Sequence, residues 1–247
     1  MEIFNLTIFG ITFAPKYYGL MYALGFLIGY LIIKKRGFIT GEKLDDLFIY
    51  LFLGVVFGGR LGYVLFYNFS YYLENFLEIF KVWQGGMSFH GGVIGVAIAV
   101  FFYTKKYKIN IWKLGDEIAS VLPIGLFFGR IGNFLNKELL GFSPYHGFLA
   151  VEKNGKSYFP SPLLEAFLEG IVLFCILYFI YKNKKFNGEV LAVFLIGYGI
   201  FRIFVEMFFR APDVQIGYIL GYFTMGEILS LPMIFIGAGI YFFMRKK

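Results

Sequence analysis

The chain has 247 residues, of which 59% are hydrophobic and 16% are charged, and its formal net charge is +7. Ordinary globular proteins contain roughly 25% charged residues, so this composition excludes a soluble domain of the same length. The basic residues lie in short clusters between apolar segments, a placement that indicates membrane topology and not nucleic-acid binding. We therefore predict an all-α integral membrane protein.

Seven apolar segments have lengths suited to a bilayer, which an α-helix of about 20 residues crosses. In chain order, we predict spans at about residues 17–33, 47–67, 82–103, 116–136, 163–181, 190–209 and 222–244. A short interfacial segment precedes the first span, and residues 137–161 are predicted to form a small extracytoplasmic cap of irregular or hairpin structure. The sequence thus predicts one polytopic domain over residues 1–247, a bundle of seven transmembrane helices.

The lysines and arginines outside the spans are distributed unequally between the two sides of the predicted bundle. Fourteen lie at the ends that follow spans one, three, five and seven, whereas six lie on the opposite side. Because positively charged loops stay in the cytoplasm, this asymmetry predicts an external N-terminus and a cytoplasmic C-terminus. No basic segment with a small-residue cleavage site precedes the first long span, so we expect no cleavable signal peptide.

The segment from Gly129 to Gly141 introduces several polar residues directly after the apolar run 118–128. They are Arg130, Asn133, Asn136 and Glu138. A central arginine on a bilayer-inserted helix costs about 2.5–3.5 kcal/mol, so its presence indicates a use for the charge. A guanidinium can bind two oxygens of a phosphate. Alternatively, Arg130 forms a salt bridge with Glu138 or a neighbouring carboxylate that holds helices together, and the sequence leaves both interpretations open.

Four ionisable side chains on different spans are predicted to lie at a similar depth. At about 1.5 Å per helical residue, Arg60, Arg130 and Arg202 lie ~20, ~21 and ~18 Å from the cytoplasmic ends of their spans. His90 enters from the other side and lies ~12 Å below the outer surface. In a hydrocarbon core about 30 Å thick, all four would share one layer, which we interpret as a functional site. A structural polar belt would require matching carboxylates, and spans two to four contain none at this depth.

The sixth span carries a polar stripe of Tyr198, Arg202 and Glu206, each four residues from the next. Residues at this spacing are neighbours on one helix face. Arg202 and Glu206 either neutralise each other, or the carboxylate orients the guanidinium towards a ligand. Glu165 and Glu169 have the same spacing at the start of the fifth span, from which Glu165 could reach the cap or the site.

His90 lies in a glycine-rich segment, residues 85–92, where the small residues let another backbone or a substrate approach closely. An imidazole is suited to accept a proton near neutral pH, which makes His90 a candidate base. A histidine that only packs and forms a hydrogen bond is the alternative interpretation.

Two further features are interpreted as structural. The pairs Gly58-Gly59 and Gly91-Gly92 fit small-residue contacts between membrane helices better than a phosphate-binding loop. The single cysteine, Cys175, excludes an internal disulfide and any cysteine-based metal site. No histidine or carboxylate cluster has metal-ligand spacing, so we predict no metal and no other cofactor.

Two functions can be considered for a membrane protein with such an arginine layer. A transporter or binding protein for an anionic lipid or metabolite would use it as a binding site. A transporter of this kind is expected to have broken helices or an inverted repeat, and the sequence indicates neither. A phospholipid phosphotransferase is the second alternative, but the metal-binding aspartates expected of it are missing from the spans.

Five segments, in the same order along the chain, resemble the motifs of bacterial prolipoprotein diacylglyceryl transferases. They are residues 18–22, 58–63, 85–92, 129–141 and 197–206. The fourth matches the family pattern Gly-Arg-Xaa-Gly-Asn-Phe-Xaa-Asn-Xaa-Glu-Xaa-Xaa-Gly, and together the five extend over most of the chain. The chain departs from the family at residues 159–162, Phe-Pro-Ser-Pro, where many relatives have a His-Pro-Ser-Gln-like run. No role is therefore carried over for that histidine.

The resemblance implies an enzyme of the bacterial inner membrane that transfers the diacylglyceryl group of phosphatidylglycerol to the lipobox cysteine of a prolipoprotein. Glycerol phosphate is released, and the reaction is the first step of lipoprotein maturation. The resemblance implies His90 as the candidate base, with Arg130 and Arg202 holding the phosphate. The residues implied to bind substrate are Tyr18, Arg60, Asn133, Asn136, Glu138, Gly141, Tyr198 and Glu206. The implied partners are phosphatidylglycerol, the lipobox segment and the lipid bilayer, without nucleic acid.

Overall fold

The computed structural model describes residues 6–8, 11–13, 17–67, 69–82, 85–212, 217–219 and 221–246. At residues 6–8, 11–13, 18, 66, 67, 89 and 90 the description covers the backbone alone. Most of the described chain is helical, with two short antiparallel hairpins. The chain divides into two compact units, residues 1–32 with 115–247, here the first unit, and residues 33–114, the second unit.

The helices and strands of the described residues follow in chain order. The α-helices are α1 Tyr17–Arg36, α2 Glu42–Tyr67, α3 Phe69–Glu74, α4 Phe89–Tyr107, α5 Ile111–Ala119, α6 Leu122–Leu135, α7 Ser161–Glu165, α8 Leu173–Asn183, α9 Glu189–Phe208 and α10 Met225–Arg245. A 3-10 helix, Phe76–Phe80, follows α3, and a π-helix, Ala166–Val172, joins α7 to α8. The hairpins pair β1 Leu6–Ile8 with β2 Ile11–Phe13, and β3 Val151–Lys153 with β4 Lys156–Tyr158.

Five helical segments of the described chain are long and apolar enough to cross a membrane. They are Glu42–Leu65, Ile111–Leu135, Ser161–Asn183, Glu189–Phe208 and Met225–Arg245. This confirms the coarser prediction of a mostly helical, multi-pass membrane protein. Helix α1 lies where the first span was predicted, whereas α4 begins at Phe89, later than the third span predicted at residues 82–103. The count of seven spans and the single-domain organisation stay predictions.

The fourth predicted span differs from its expected form. Its helix begins at Ile111 instead of residue 116, and it is interrupted at Ser120 and Val121, between α5 and α6. Pro123 explains the interruption, because proline has no backbone N–H and its ring collides with the carbonyl four residues earlier, here in the last turn of α5. The expectation that no span is broken is therefore wrong at this point.

The core of the first unit joins the first half of α9 to α5 and α8. Its buried apolar side chains are Ala119, Leu173, Leu177, Val190, Phe194 and Tyr198. Asp116 of α5 is fully buried and accepts hydrogen bonds from the backbone N–H groups of Gly188, at 2.9 Å, and Leu191, at 3.1 Å. A carboxylate at a helix N-terminus satisfies unpaired donors and complements the helix dipole. The N-terminal end of α9 is thereby held in place.

In the second unit, α2 packs closely on α4 through glycines. An added Cβ at Gly58 or Gly62 of α2 would lie 2.7 or 2.6 Å from the Cα of Gly95 or Gly91 on α4. Backbones approach this closely only where side chains are absent. This geometry supports the packing interpretation of Gly58 and Gly91. Gly92, in contrast, has only the Val55 carbonyl oxygen near its Cβ position, at 3.8 Å.

Residues 137–161 combine irregular backbone with the hairpin β3–β4. Asn154 and Gly155 connect the two strands with φ values of 52° and 72°, as the tightest hairpin turns require. The N–H of Gly141 donates to the Phe159 carbonyl at 2.8 Å, and Gly141 also pairs with Arg210 in an isolated antiparallel bridge. The predicted hairpin is thus present, whereas the position of this segment outside the membrane stays a prediction.

Candidate functional site

Three arginines and three glutamates form a buried ionic cluster in the first unit. Its members are Arg130 of α6, Glu165 of α7, Glu169 of the π-helix, Arg202 and Glu206 of α9, and Arg210 shortly after α9. The arginine side chains are 7–12% exposed, and the carboxylates 0–4%. We call this group the ionic cluster.

Glu165 is the centre of the ionic cluster. Its Oε1 accepts hydrogen bonds from Nη1 of Arg202 and Nη1 of Arg210, both at 2.9 Å. Its Oε2 lies 3.0 Å from Nε of Arg130. One carboxylate therefore contacts all three guanidinium groups and joins α6 to Arg202 of α9 and to Arg210 beyond its end.

The other two carboxylates each contact a pair of arginines. Oε2 of Glu169 accepts from Nε and Nη2 of Arg130 at 3.2 and 3.0 Å, and Oε1 lies 3.8 Å from Nη1 of Arg202. Oε1 of Glu206 lies 2.5 Å from Nη2 of Arg202 and 3.5 Å from Nε of Arg210. The arginines are therefore held by more than one carboxylate each.

The π-helix places Glu169 in the cluster one turn after Glu165. Both carboxylates are fully buried and both face Arg130. A π-helical turn is rare and often occurs at functional sites, because it changes the direction of side chains within an otherwise regular helix. The irregular helix is thus located where two acidic side chains meet one arginine.

The formal charges of the ionic cluster cancel, since three guanidinium groups face three carboxylates. Removing one partner of a buried ion pair typically costs about 3–5 kcal/mol, because a buried charge is left uncompensated. The pKa of Arg210 lies below its usual value. Burial is the main cause and the positive charge of the nearby Arg202 is the second, while Glu165 and Glu206 oppose this shift. An additional anion beside Arg210 would therefore stabilise its charged form.

The ionic cluster keeps unused hydrogen-bonding groups. Within the described part of the chain, Nη1 of Arg130 and Nε of Arg202 make no hydrogen bond. Oε2 of Glu165 and Oε1 of Glu169 are buried and accept no hydrogen bond there, although each lies in an ion pair with an arginine. Buried polar atoms normally form hydrogen bonds, so these donors and acceptors are available to a polar ligand. The site can offer donors to an anion and acceptors to hydroxyl groups.

The alternative interpretation, a salt bridge between Arg130 and Glu138 or a neighbouring carboxylate, is met by the second kind of partner. Arg130 pairs with Glu165 and Glu169, whereas Glu138 is exposed. The predicted pair of Arg202 and Glu206 is present. Arg130 therefore has a structural role in joining helices whether or not it also binds a ligand.

Several predicted substrate-binding residues lie on the same elements. Tyr198 is buried one turn before Arg202 and is within electrostatic range of the cluster carboxylates. Asn133 is buried in α6, three residues after Arg130, and Asn136 follows the last residue of that helix. Gly141 pairs with the backbone of Arg210, as described above, and a Cβ at this position would collide with the carbonyl oxygen of Phe209.

Arg60 and His90 lie in the second unit, and the contacts of Arg60 differ from those of the cluster arginines. The buried Arg60 donates to the backbone carbonyls of Glu78, Ile79 and Gly85 at 2.6, 2.8 and 2.5 Å. His90 is the second residue of α4. The side chains of His90 and Tyr18 lie outside the described residues. A shared layer for Arg60, His90, Arg130 and Arg202 therefore stays a prediction.

Sequence reasoning missed two members of the ionic cluster, Glu169 and Arg210, and gave Glu165 only a possible role. The spacing of Glu165 and Glu169 within an apolar span was the available signal, because two carboxylates on one helix face in lipid require partners. Arg210 had been grouped with the basic residues outside the membrane. Its distance of four residues from Glu206 was the signal for a role in the stripe.

Comparison with known proteins agrees with the motifs. The family model described as prolipoprotein diacylglyceryl transferase matches residues 6–243. A phosphatidylglycerol–prolipoprotein diacylglyceryl transferase of Rickettsia canadensis is 47% identical, over 96% of this chain and 95% of the relative. Proteins of the same name from Hydrogenovibrio crunogenus and Nitratidesulfovibrio vulgaris are 45% and 44% identical, each over 92% of this chain and 90% of the relative. The chain therefore belongs to the prolipoprotein diacylglyceryl transferase family.

Proposed function

We propose that the chain transfers the diacylglyceryl group of phosphatidylglycerol to the thiol of a prolipoprotein lipobox cysteine and releases glycerol phosphate. Membership of the family supports this activity, and the names of the relatives contain both substrates. The chain is accordingly a transferase of lipoprotein biosynthesis. The ionic cluster, with its unused donors and acceptors, is the observation that carries the assignment of the reaction to a place in the molecule.

The arginines of the cluster are suited to hold the phosphate of the lipid. Nη1 of Arg130 and Nε of Arg202 still have N–H groups to donate. Hydrogen bonds to phosphate oxygens are strongest in a site that excludes water, and preformed donors stabilise the charge that develops on a leaving group. Arg130 and Arg202 would therefore stabilise the departing glycerol phosphate more than the bound lipid.

The thiol of the prolipoprotein supplies the nucleophile. A cysteine thiol has a pKa near 8.5, so a base must remove its proton for rapid attack near neutral pH. We assign this role to His90. The sulfur then attacks the glyceryl carbon bonded to the phosphate oxygen, so that a C–S bond forms while the C–O bond breaks. The electron pair of the broken bond leaves with glycerol phosphate, and the thiol proton remains on the imidazole until it passes to solvent or product.

The two carboxylate oxygens that accept no hydrogen bond are suited to the glycerol head group, whose hydroxyls are hydrogen-bond donors. Oε2 of Glu165 and Oε1 of Glu169 lie beside the proposed phosphate position. The further substrate-binding assignments remain part of the proposal: Tyr18, Asn133, Asn136, Glu138, Gly141, Tyr198 and Glu206. Glu138 is exposed and Asn136 partly buried, so these two would act at the edge of the site.

The reaction is proposed to take place in the outer part of the cytoplasmic membrane of a bacterium. The unequal distribution of basic residues supports an external N-terminus and a cytoplasmic C-terminus. In this orientation, residues 137–161 form a cap on the side from which a secreted prolipoprotein presents its lipobox. Both substrates are membrane-anchored, so they would reach the site from the bilayer.

A reconstituted assay tests the proposed function. The purified chain is incubated with vesicles containing phosphatidylglycerol and a lipobox peptide, and the products are identified by mass spectrometry. We expect a thioether-linked diacylglyceryl peptide and an equal amount of glycerol phosphate. A peptide with serine in place of cysteine is the matched control and should remain unmodified. Flux of an anion across the vesicles without either product would support a transporter and contradict the proposal.

A further inference from the structure

Arg60 connects α2 to the chain segment that precedes α4. Its Nη2 donates to the carbonyl of Glu78, its Nε to Ile79, and its Nη1 to Gly85 at 2.5 Å and to Gly86 at 3.3 Å. All three guanidinium nitrogens are thus used by backbone carbonyls. Two of these carbonyls belong to the 3-10 helix Phe76–Phe80, and two belong to the turn before α4.

The turn at Gly85 and Gly86 is shaped to meet this guanidinium. Both residues have positive φ, at 90° and 72°, a conformation that glycine adopts without strain. A Cβ at Gly86 would lie 2.9 Å from Nη1 of Arg60 and 2.6 Å from the ring of Tyr63. The glycines therefore permit the close approach that directs their carbonyl oxygens onto Arg60.

The next residues attach the start of α4 to the same region of α2. The N–H of Ser88 donates to the Gly59 carbonyl at 2.8 Å, and the Ser88 hydroxyl accepts from the N–H of Gly91, which caps the helix. Gly59 and Arg60 are adjacent, so one turn of α2 holds both the turn and the first residues of α4. His90 is the second residue of this helix.

The charge of Arg60 is stabilised without an acid. No carboxylate in the described part of the chain lies within salt-bridge distance of Arg60, whose guanidinium carbon is 5.2 Å from the centre of the Tyr72 ring. Because Arg60 is only 3% exposed, its guanidinium has little contact with water, and neutral carbonyl dipoles take the place of water and of an anion. A guanidinium suits this place better than an ammonium, because its donors are spread over three nitrogens that contact carbonyls of both segments, whereas a lysine carries all its donors on one nitrogen.

We propose that Arg60 is a positioning residue for the transfer reaction: it holds the 3-10 helix Phe76–Phe80 and the turn at Gly85 and Gly86, so that α4, the helix that carries His90, begins at a fixed point on α2. The proposal rests on the proposed function for its effect on catalysis. It replaces the expectation that Arg60 binds substrate. Loss of Arg60 would release the segment before α4 and misplace the base, while the proposed phosphate-binding arginines of the first unit stay intact.

Spin labelling and kinetics on the full-length protein test this proposal together. In a Cys175→Ala background, a nitroxide label is attached at Leu77→Cys, an exposed position in the 3-10 helix. A second label at Phe179→Cys in α8 reports on the first unit. Each label is measured with Arg60, Arg60→Lys and Arg60→Ala, alongside kcat and KM for phosphatidylglycerol.

We expect both Arg60 variants to raise the mobility of the label at position 77 and to leave the label at position 179 unchanged. We also expect kcat to fall roughly 10- to 100-fold, since small misplacements of a reacting group have effects of this size, and KM for phosphatidylglycerol to change less than about threefold. Lys81→Ala is the matched control, because it removes a charge and the pairing of Lys81 with Glu78 from the same segment but no contact of Arg60.

Three results would overturn the proposal. The first is a wild-type kcat in Arg60→Lys, which would make charge alone sufficient. The second is a tenfold rise in KM at unchanged kcat, which would assign Arg60 to the lipid phosphate. The third is unchanged mobility of the label at position 77. If Arg60→Ala does not accumulate, Arg60→Lys decides the question. An inactive wild-type protein would contradict the proposed function, and the mobility of the label would still decide whether Arg60 holds the segment.

Discussion

The buried arginines of the two units are stabilised in two different ways. In the first unit, Arg130 and Arg202 face carboxylates at 2.5–3.8 Å. In the second unit, Arg60 faces backbone carbonyls of residues 78, 79, 85 and 86. A membrane-buried guanidinium is costly in both cases, and only its partners differ.

The difference in partners indicates a difference in role. Carboxylate side chains can rotate, and the cluster has unused donors and acceptors, so an incoming phosphate can share the arginines without unfolding the backbone. The carbonyls around Arg60 belong to the main chain, and displacing them would require the segment before α4 to move. We therefore expect the ionic cluster to exchange ligands during the reaction and the contacts of Arg60 to persist.

The largest effect is expected from Arg130→Ala, which removes a proposed phosphate ligand and one of the two arginines that contact both Glu165 and Glu169. Transfer should fall by roughly 1,000-fold, the loss seen when a key donor to a developing oxyanion is removed. The uncompensated carboxylates should also destabilise the protein by about 3–5 kcal/mol. Both quantities can be measured, by product formation and by thermal unfolding in detergent.

The double variant Arg130→Ala with Glu169→Gln separates these two effects of losing Arg130. Two arginines then face two glutamates, so charge balance and much of the stability should return. Activity should not return, because the phosphate ligand is still missing. Full transfer activity in either variant would remove Arg130 from the mechanism and leave it as a helix-joining residue.

A smaller loss, by roughly 100-fold, is expected for His90→Asn, since general base catalysis contributes at least this much. The pH profile provides the sharper test. Only a neutral imidazole accepts a proton, so the wild-type rate should fall at low pH, where His90 becomes protonated. The variant should instead follow thiol ionisation and rise towards pH 8.5. Identical profiles for both proteins would contradict the assignment of His90 as base.

The next prediction concerns stability, with a moderate expected effect. It tests the close packing of α2 on α4 separately from the polar contacts of the second unit. Gly91→Ala would force α4 away from Gly58 and Gly62 of α2, and overpacking of this kind typically costs about 1–3 kcal/mol. Gly92→Ala is the neighbouring control, because its Cβ would meet only ordinary contact distances. We expect a lower unfolding temperature for Gly91→Ala alone. Equal temperatures for the two variants would show that α2 and α4 tolerate separation.

The smallest effect is expected for Cys175→Ala on the surface of α8. The substrate supplies the reacting thiol, so transfer activity should stay within twofold of wild type, and exposed substitutions usually change stability by less than about 0.5 kcal/mol. Enzyme treated with a maleimide and then freed of reagent should give the same result. Loss of activity in both cases would place Cys175 in the reaction and contradict the proposed mechanism.

The positions of the helices were largely predictable from the sequence. The predicted spans 163–181 and 190–209 correspond to Ser161–Asn183 and Glu189–Phe208, because a bilayer requires apolar segments of one length. The interruption before α6 and the π-helix were not predicted. Both change backbone geometry while hydropathy stays constant, although Pro123 was a local signal for the first.

The composition of the candidate site was only partly predictable. Arg130, Arg202 and Glu206 stand out as charges in apolar spans, so sequence alone identifies them. Their partners depend on how helices rotate against one another, which a single sequence does not encode locally. The environment of Arg60 was the hardest to predict, because backbone carbonyls exist at every residue and leave no side-chain signature.

The balance of three guanidinium groups by three carboxylates has a consequence for turnover. Phosphatidylglycerol carries one negative charge on its phosphate, but the glycerol phosphate produced carries about −1.5 to −2 near neutral pH. In the proposed function, the arginines would attract this product strongly, and the negative charges of Glu165, Glu169 and Glu206 would oppose its additional charge. The balanced cluster would therefore favour release of the product, and we expect only weak inhibition by accumulated glycerol phosphate.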